Sequence, residues 1–126
     1  MTQEDKDLLL QDLCTRLPYG VKILVNNNIN KLEGVHVLDM VAEYNNCLSC
    51  DISEIKPYLF PMSSMTEEQE KEFNQLLQLE IRAINDEVRY TEVIEFELNL
   101  YNKHHLDWRG LIKKGLAIDA TGLNIY

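Results

Sequence analysis

The fold is decided by residues 21–60, VKILVNNNINKLEGVHVLDMVAEYNNCLSCDISEIKPYLF. Val21, Ile23 and Val25 recur at every second position at its start. This alternation is typical of a β-strand with one buried face. The stretch therefore predicts that the chain enters a sheet directly after its first twenty residues.

Asparagines divide the rest of this stretch into further strands. Residues 26–28 and 45–46 are all Asn, a residue that tolerates tight turns. Gly34 predicts a bulge or bend, and Pro57 and Pro61 predict that the last strand lies at an edge, since proline cannot donate to a central ladder. The remaining strands are predicted at 29–37, 38–44, 47–52 and 56–60. Such a meander suits a small, strongly bent sheet or an SH3-like barrel.

Helices are predicted on both sides of the meander. An amphipathic helix over about 3–17 begins after Thr2, a suitable N-cap, and stops before Pro18. Thr66 and Gln69 form a capping box that opens a second helix, running to about residue 88. One face of this helix is apolar and consists of Phe73, Leu76, Leu77, Ile81, Ile84 and Val88.

Residues 90–105 fit both an alternating and a helical pattern, and their length favours a helix.

The predicted fold class is α+β in a single domain, residues 1–126. It comprises an N-terminal helix and turn (1–20), a β meander (21–60), two helices (66–105) and a packed C-terminal tail (106–126), in which Asp107 caps a short turn.

The chain is strongly acidic, with a net charge of −9 over 126 residues. Acidic proteins repel phosphate backbones, so nucleic acid is disfavoured as the main partner. No apolar run approaches the roughly 20 residues that span a membrane, and the acidic start MTQEDKDLLL does not resemble a signal peptide. We therefore expect no membrane association and a cytoplasmic location in a bacterial host cell.

Cys47 and Cys50 form a CxxC pair whose spacing occurs in zinc and redox sites. However, no second ligand pair is present, and the motif lies in a predicted strand. The chain has three cysteines, an odd number, which favours ordinary reduced thiols. We expect no metal and no cofactor.

Residues 101–126 are the only region where basic residues outnumber acidic ones. His104 and His105 there could serve in metal binding or acid–base chemistry, but histidine is also favoured at a helix C-terminus by the dipole alone. The phosphate-binding, nucleophile-elbow and zinc-protease motifs are absent. We therefore predict no catalytic residues and a protein that is not an enzyme.

Trp108 and Arg109 are followed by Lys113 and Lys114. Trp and Arg are over-represented at binding hot spots. The alternative for Trp108 is a structural role, anchoring the tail to the helices, while both lysines are expected at the surface. His104, His105, Trp108, Arg109, Lys113 and Lys114 are together the candidate binding residues.

Three segments resemble a widespread family of small uncharacterised proteins of gut anaerobes and their phages and mobile elements. They are DLCTRLPYGVK (12–22), EIKPYLFPMSSMTEEQEKEF (54–73) and NKHHLDWRGLIKKGLAIDATGLNIY (102–126). The resemblance implies a phage or mobile-element setting, and it implies no activity, cofactor or catalytic residue.

The function expected from the sequence is a non-enzymatic module that binds another macromolecule, with a protein as the favoured partner. The setting implied by the resemblance is that of a phage-encoded modulator of a host protein. One alternative is a nucleic-acid accessory protein that uses the barrel together with Lys103, Arg109, Lys113 and Lys114. The other is a small-molecule binder or enzyme with a site near the C-terminal His and Trp residues.

Overall fold

The computed structural model describes residues 1–126 and has the α+β architecture expected from the sequence. Three helices and six strands follow one another along the chain, with short 3₁₀ turns between some of them. The helices are α1 (Gln3–Arg16), α2 (Glu67–Ile84) and α3 (Tyr90–Lys103). The strands are β1 (Lys22–Val25), β2 (Asn28–His36), β3 (Val41–Tyr44), β4 (Leu48–Asp51), β5 (Lys56–Leu59) and β6 (Ile118–Asp119).

The strands form one open sheet in the order β4-β3-β2-β1-β5-β6. All neighbours are antiparallel except β5 and β6, which run parallel. The predicted meander is therefore confirmed, whereas its closure into an SH3-like barrel is wrong. Closure requires the two outermost strands to pair, but β4 and the two-residue β6 lie at opposite ends of the sheet.

Helix α1 and the C-terminal tail cover the inner face of this sheet, in place of the strands that would close a barrel. Leu9 and Leu13 of α1 are fully buried against strand residues such as Ile23. The tail adds Leu111 and Leu116 to the same cluster. The apolar face of the meander is thus buried by a helix and a tail, and closure is not needed.

The asparagine turns and the bulge are confirmed, whereas the predicted start of the third strand is not. Asn26, Asn27, Asn45 and Asn46 all have positive φ, and the β2–β3 register shifts between Leu32 and Gly34. The third strand starts at Val41 and not at 38, because residues 37–40 form a turn.

Strand β5 is not at the edge of the sheet, contrary to the prediction from its prolines. It lies between β1 and β6, and the tail strand pairs with Tyr58 and Leu59. These two residues follow Pro57, so the missing amide of the proline does not interrupt that parallel pairing.

After β5 in the chain, helices α2 and α3 pack against each other as an antiparallel helical hairpin. The capping box is present: Thr66 Oγ1 accepts from the Gln69 amide at 3.2 Å, and Gln69 Oε1 accepts from the Thr66 amide at 3.0 Å. Helix α2 ends at Ile84 and not near residue 88, because Asp86 adopts a left-handed φ of 59°. Residues 90–103 are helical, as their length predicts.

Candidate functional site

The two adjacent histidines after α3 point to different partners. His104 Nε2 lies 2.9 Å from Glu72 Oε2 of α2, and Lys103 Nζ lies 3.4 Å from the same oxygen. The hydrogen bond from His104 lowers the pKa of Glu72, with a smaller contribution from Lys103. These contacts join the end of α3 to α2.

His105 has the opposite environment. Its ring stacks on Tyr126 with the centroids 3.8 Å apart, and its Nδ1 is buried without a hydrogen-bond partner. Burial, together with the positive charges of Arg16 and His104, lowers the pKa of His105 to about 4. The ring is therefore neutral at physiological pH, and the two histidines do not converge on a shared ligand.

Trp108 lies between an aromatic ring and a cation. Its ring stacks on Tyr101 at a centroid distance of 6.0 Å, and Tyr101 in turn contacts Phe73 of α2 at 5.2 Å. The Arg109 guanidinium carbon lies 4.1 Å from the centre of the indole ring. Trp108 is half-buried. It joins the tail to α3 directly, and to α2 only through Tyr101, which favours its structural alternative.

Arg109 belongs to a buried charge network with Asp12 and Arg16 of α1. Asp12 accepts from Arg109 Nη1 through Oδ1 and from Arg16 Nε through Oδ2, each at 2.8 Å. Arg16 Nη2 also donates to the Leu106 carbonyl oxygen at 2.6 Å. Asp12 and Arg16 are both 0% exposed. This network fastens the tail to α1, so Arg109 is already engaged within the fold.

Asp107 shapes the turn that carries the two lysines. Its carboxylate accepts from the amides of Leu111 and Ile112 at 2.8 and 2.9 Å, which confirms the predicted cap. Lys113 and Lys114 are exposed on this turn, as expected, and Gly115 follows with a φ of 75°. Of the six candidate binding residues, these two lysines are the ones that face solvent.

The cysteine pair sits at the far end of the sheet. Cys47 is exposed in the turn before β4, with a φ of 80°, and Cys50 lies within β4. Burial raises the pKa of the Cys50 thiol, and the negative charges of Glu54 and Asp51 raise it further. No group of three or more His, Cys, Asp or Glu side chains lies close enough together to hold a metal ion.

The largest feature that the sequence interpretation missed is an exposed apolar stripe on α2. Leu77, Ile81 and Ile84 are 58%, 45% and 69% exposed, although they recur at the i, i+4, i+7 spacing of one helix face. Of all α2 residues only Ala83 is buried, because the helix packs mainly on α3. The predicted apolar face is therefore divided: one part contacts α3, and this stripe contacts solvent.

Acidic residues surround the stripe. Residues 67–103 contain ten acids and four bases, a net charge of −6. Glu70 lies seven positions before Leu77, on the same face of α2, and Glu80 lies three positions after it, at the border of that face. Both glutamates are exposed. The periodicity of these three side chains was visible in the sequence. Their exposure was not, because it depends on how the hairpin is placed relative to the sheet.

Three clefts are present, and none is lined by His104, His105 or Trp108. The largest has a volume of about 510 Å³ and lies between the end of α1, the 3₁₀ turn at Leu17–Tyr19 and α3. Pro18, Tyr19 and Leu98 are among its lining residues. A small-molecule site would thus lie beside α3, away from the tail histidines.

Comparisons with protein families, curated proteins and solved structures found no match to this chain. The resemblance to the proteins of gut anaerobes and their phages therefore stays a prediction. No helix in the structure is both long and apolar enough to cross a membrane.

Proposed function

We propose that this protein is a non-enzymatic module that binds another protein through the stripe Leu77, Ile81 and Ile84 on α2. The observation that carries the proposal is the exposure of these three side chains on one face of a regular helix. Burying large aliphatic side chains contributes about 1.5–3 kcal/mol each. A contiguous group left in water is typical of an interaction surface.

Charge indicates what kind of partner fits the stripe. The hairpin carries a net charge of −6, and Glu70 and Glu80 flank the stripe. A second copy of the chain would bring like charges together, which costs free energy. A segment of another protein with apolar residues bordered by Lys or Arg would gain apolar burial and favourable charge together. We therefore assign a basic, amphipathic helix as the occupant.

The family resemblance supports a biological setting for this partner. If the chain belongs to a phage or mobile element, the partner is a host protein whose activity the module modulates. This setting is part of the same proposal, and it rests on the three resembling segments alone.

Nucleic acid is the weaker candidate because two of the four cations invoked for it are already paired. Lys103 lies 3.4 Å from Glu72, and Arg109 lies 2.8 Å from Asp12. Lys113 and Lys114 remain, and two lysines on a protein of net charge −9 give little phosphate neutralisation.

A labelled helical peptide with Leu at i, i+3, i+4 and i+7 and Lys elsewhere tests the proposal by fluorescence anisotropy. The wild-type protein should bind this peptide, and a Leu and Glu peptide of the same pattern should not bind. Ile81→Asp should weaken binding about tenfold or more, as expected for a buried hot spot. Because this substitution adds a negative charge, weaker binding of a basic peptide would not reflect lost charge attraction, and unchanged helix content in circular dichroism would assign it to lost apolar contact.

Leu38→Asp is the matched control, since Leu38 is 98% exposed in the turn before β3. It adds the same charge away from the stripe and should leave the affinity unchanged. Equal binding by wild type, Ile81→Asp and Leu38→Asp would overturn the proposal. A dimer in sedimentation analysis that Ile81→Asp dissociates would also overturn it, in favour of a second copy.

A further inference from the structure

The cleft beside α3 has the size and apolar walls of a ligand site. Its volume of about 510 Å³ falls within the range of small-molecule pockets, about 300–1,000 Å³. Pro18 and Tyr19 lie on one side, and Ile94 and Leu98, one helical turn apart on α3, lie on the other. Such walls suit a flat or short apolar body.

One residue that lines the cleft is a buried amide. Asn102 lines the cleft and is 5% exposed, and its Oδ1 has no hydrogen-bond partner. A buried polar atom without a partner costs about 1–3 kcal/mol, so native proteins rarely leave one unsatisfied without a reason. One turn away, Asn99 Oδ1 accepts from the Tyr19 hydroxyl at 3.2 Å.

The charges around the cleft favour an uncharged ligand. Glu95 is the one charged residue among those that line it, and this residue is exposed. An anion would meet this carboxylate and the net charge of −9. A cation could approach the exposed Glu95, but its charge would be buried at Asn102, which is uncharged and is the one buried residue of the lining. Burying an unpaired charge costs far more than burying a hydrogen-bonded neutral group.

We propose that this cleft binds small, uncharged apolar molecules that end in a primary carboxamide. The ligand amide pairs with the Asn102 amide, each group donating one N–H and accepting one through its oxygen. Terminal amide torsions are broad, so a rotation about χ2 of Asn102 turns its oxygen or nitrogen towards the ligand. The apolar body lies between Tyr19 and Leu98. This activity is independent of the peptide-binding stripe on α2.

Phenylacetamide, phenylacetate and phenethylamine share one ring and differ in the charge of the head group. A heteronuclear NMR titration of the intact protein should show saturable shifts at Tyr19, Ile94, Leu98 and the Asn102 side-chain amide with phenylacetamide. A dissociation constant of about 1 mM is expected for a ligand of this size. The anion and the cation should each bind about tenfold more weakly.

Two substitutions separate the amide contact from the apolar walls. Asn102→Leu should weaken phenylacetamide binding about tenfold, because the two hydrogen bonds to the ligand amide are lost. The same substitution should abolish the preference for the neutral head group. Ile94→Glu changes an exposed residue of the wall, so the protein should fold and bind phenylacetamide at least about tenfold more weakly, because the apolar contact is lost. Val37→Glu, at a position 57% exposed against 56% for Ile94 and outside the cleft, is its matched control and should bind like wild type.

The proposal is overturned if phenylacetamide gives no saturable shift up to about ten times the expected dissociation constant. It is also overturned if either charged compound binds as tightly as the amide, or if Ile94→Glu binds like wild type. Should Asn102→Leu fail to fold, the head-group preference of the wild type and the Ile94→Glu result still decide the question.

Discussion

Asp12 is the residue through which the first helix and the C-terminal tail are joined. Its carboxylate is fully buried and accepts from two guanidinium groups, those of Arg16 and Arg109. Without it, Arg16 would remain fully buried with its charge uncompensated, and its Nη1 already has no partner. A buried ion pair is costly to break from one side, because the remaining charge stays in an apolar environment.

Asp12→Ala should therefore lower the free energy of unfolding by about 3–5 kcal/mol, measured by urea denaturation. Asp7→Ala on the exposed side of the same helix is the control and should cost less than about 1 kcal/mol. Equal effects of the two substitutions would show that the network does not hold the tail to α1.

His105 makes stability depend on pH. The folded state holds its pKa near 4, whereas the unfolded side chain titrates near 6.5. Between these values the unfolded chain binds more protons, so the free energy of unfolding falls as the pH drops from about 6.5 to about 4. The contribution is about 1–2 kcal/mol once partial exposure of the ring is allowed for.

His105→Asn isolates this effect, because Asn tolerates the φ of 55° at this position and does not titrate. Chemical denaturation at several pH values should show a steeper loss of stability for wild type than for His105→Asn within this window. Parallel curves for the two proteins would contradict a neutral, buried His105.

At the scale of elements, the capping box fixes where α2 begins. Thr66 and Gln69 each satisfy a backbone amide of the other. Thr66→Ala should cost about 1 kcal/mol, typical of losing an N-cap, in thermal or urea unfolding. Thr91→Ala, within the first turn of α3 and without a cap contact, should change stability little. If the two variants unfold alike, the box does not stabilise α2.

The sequence predicts those elements whose signals are local. Thr2 and the capping box at Thr66 identify helix starts correctly, and the asparagine turns identify the β hairpins, because caps and tight turns depend on a few neighbouring residues. The end of α2 was missed because the left-handed turn at Asp86 has no glycine to mark it.

Long-range features could not be predicted in the same way. Pro57 indicates an edge strand, but the tail supplies a neighbour for β5 from about 60 residues further along the chain. Arg109 looks like a free cation until α1 brings Asp12 to it. The same limit applies to the candidate site, since periodicity places Leu77, Ile81 and Ile84 on one face but does not show that this face is uncovered.

At the scale of the whole molecule, the last residue connects separate parts of the sheet. The Tyr126 hydroxyl accepts from the Lys22 amide at 2.8 Å and donates to the Tyr58 carbonyl at 2.7 Å. Burial raises the pKa of Tyr126 to about 12, so the hydroxyl stays protonated and can make both contacts.

Tyr126→Phe should lower the free energy of unfolding by about 1–3 kcal/mol, because it leaves two backbone groups without this partner. Tyr90→Phe, at an exposed position, should be neutral and serves as the control in the same denaturation experiment. If Tyr126→Phe leaves the free energy of unfolding unchanged, the two contacts of the hydroxyl do not stabilise the fold.

The fold therefore divides into a stabilised body and an exposed hairpin face. The sheet, α1 and the tail share one core, and a buried charge network joins α1 to the tail. The stripe on α2 contributes no residue to that core. Stability and binding are consequently separable, and substitutions on the stripe should change affinity without lowering the free energy of unfolding.

The most direct test of the binding proposal is an NMR titration of methyl-labelled protein with the basic Leu and Lys peptide. The account predicts saturable shifts of the Leu77, Ile81 and Ile84 methyl signals, with Ile29 and Leu38 unchanged although they too are exposed. Shifts spread over acidic residues without movement of the three stripe methyls would show charge attraction alone and would contradict the account.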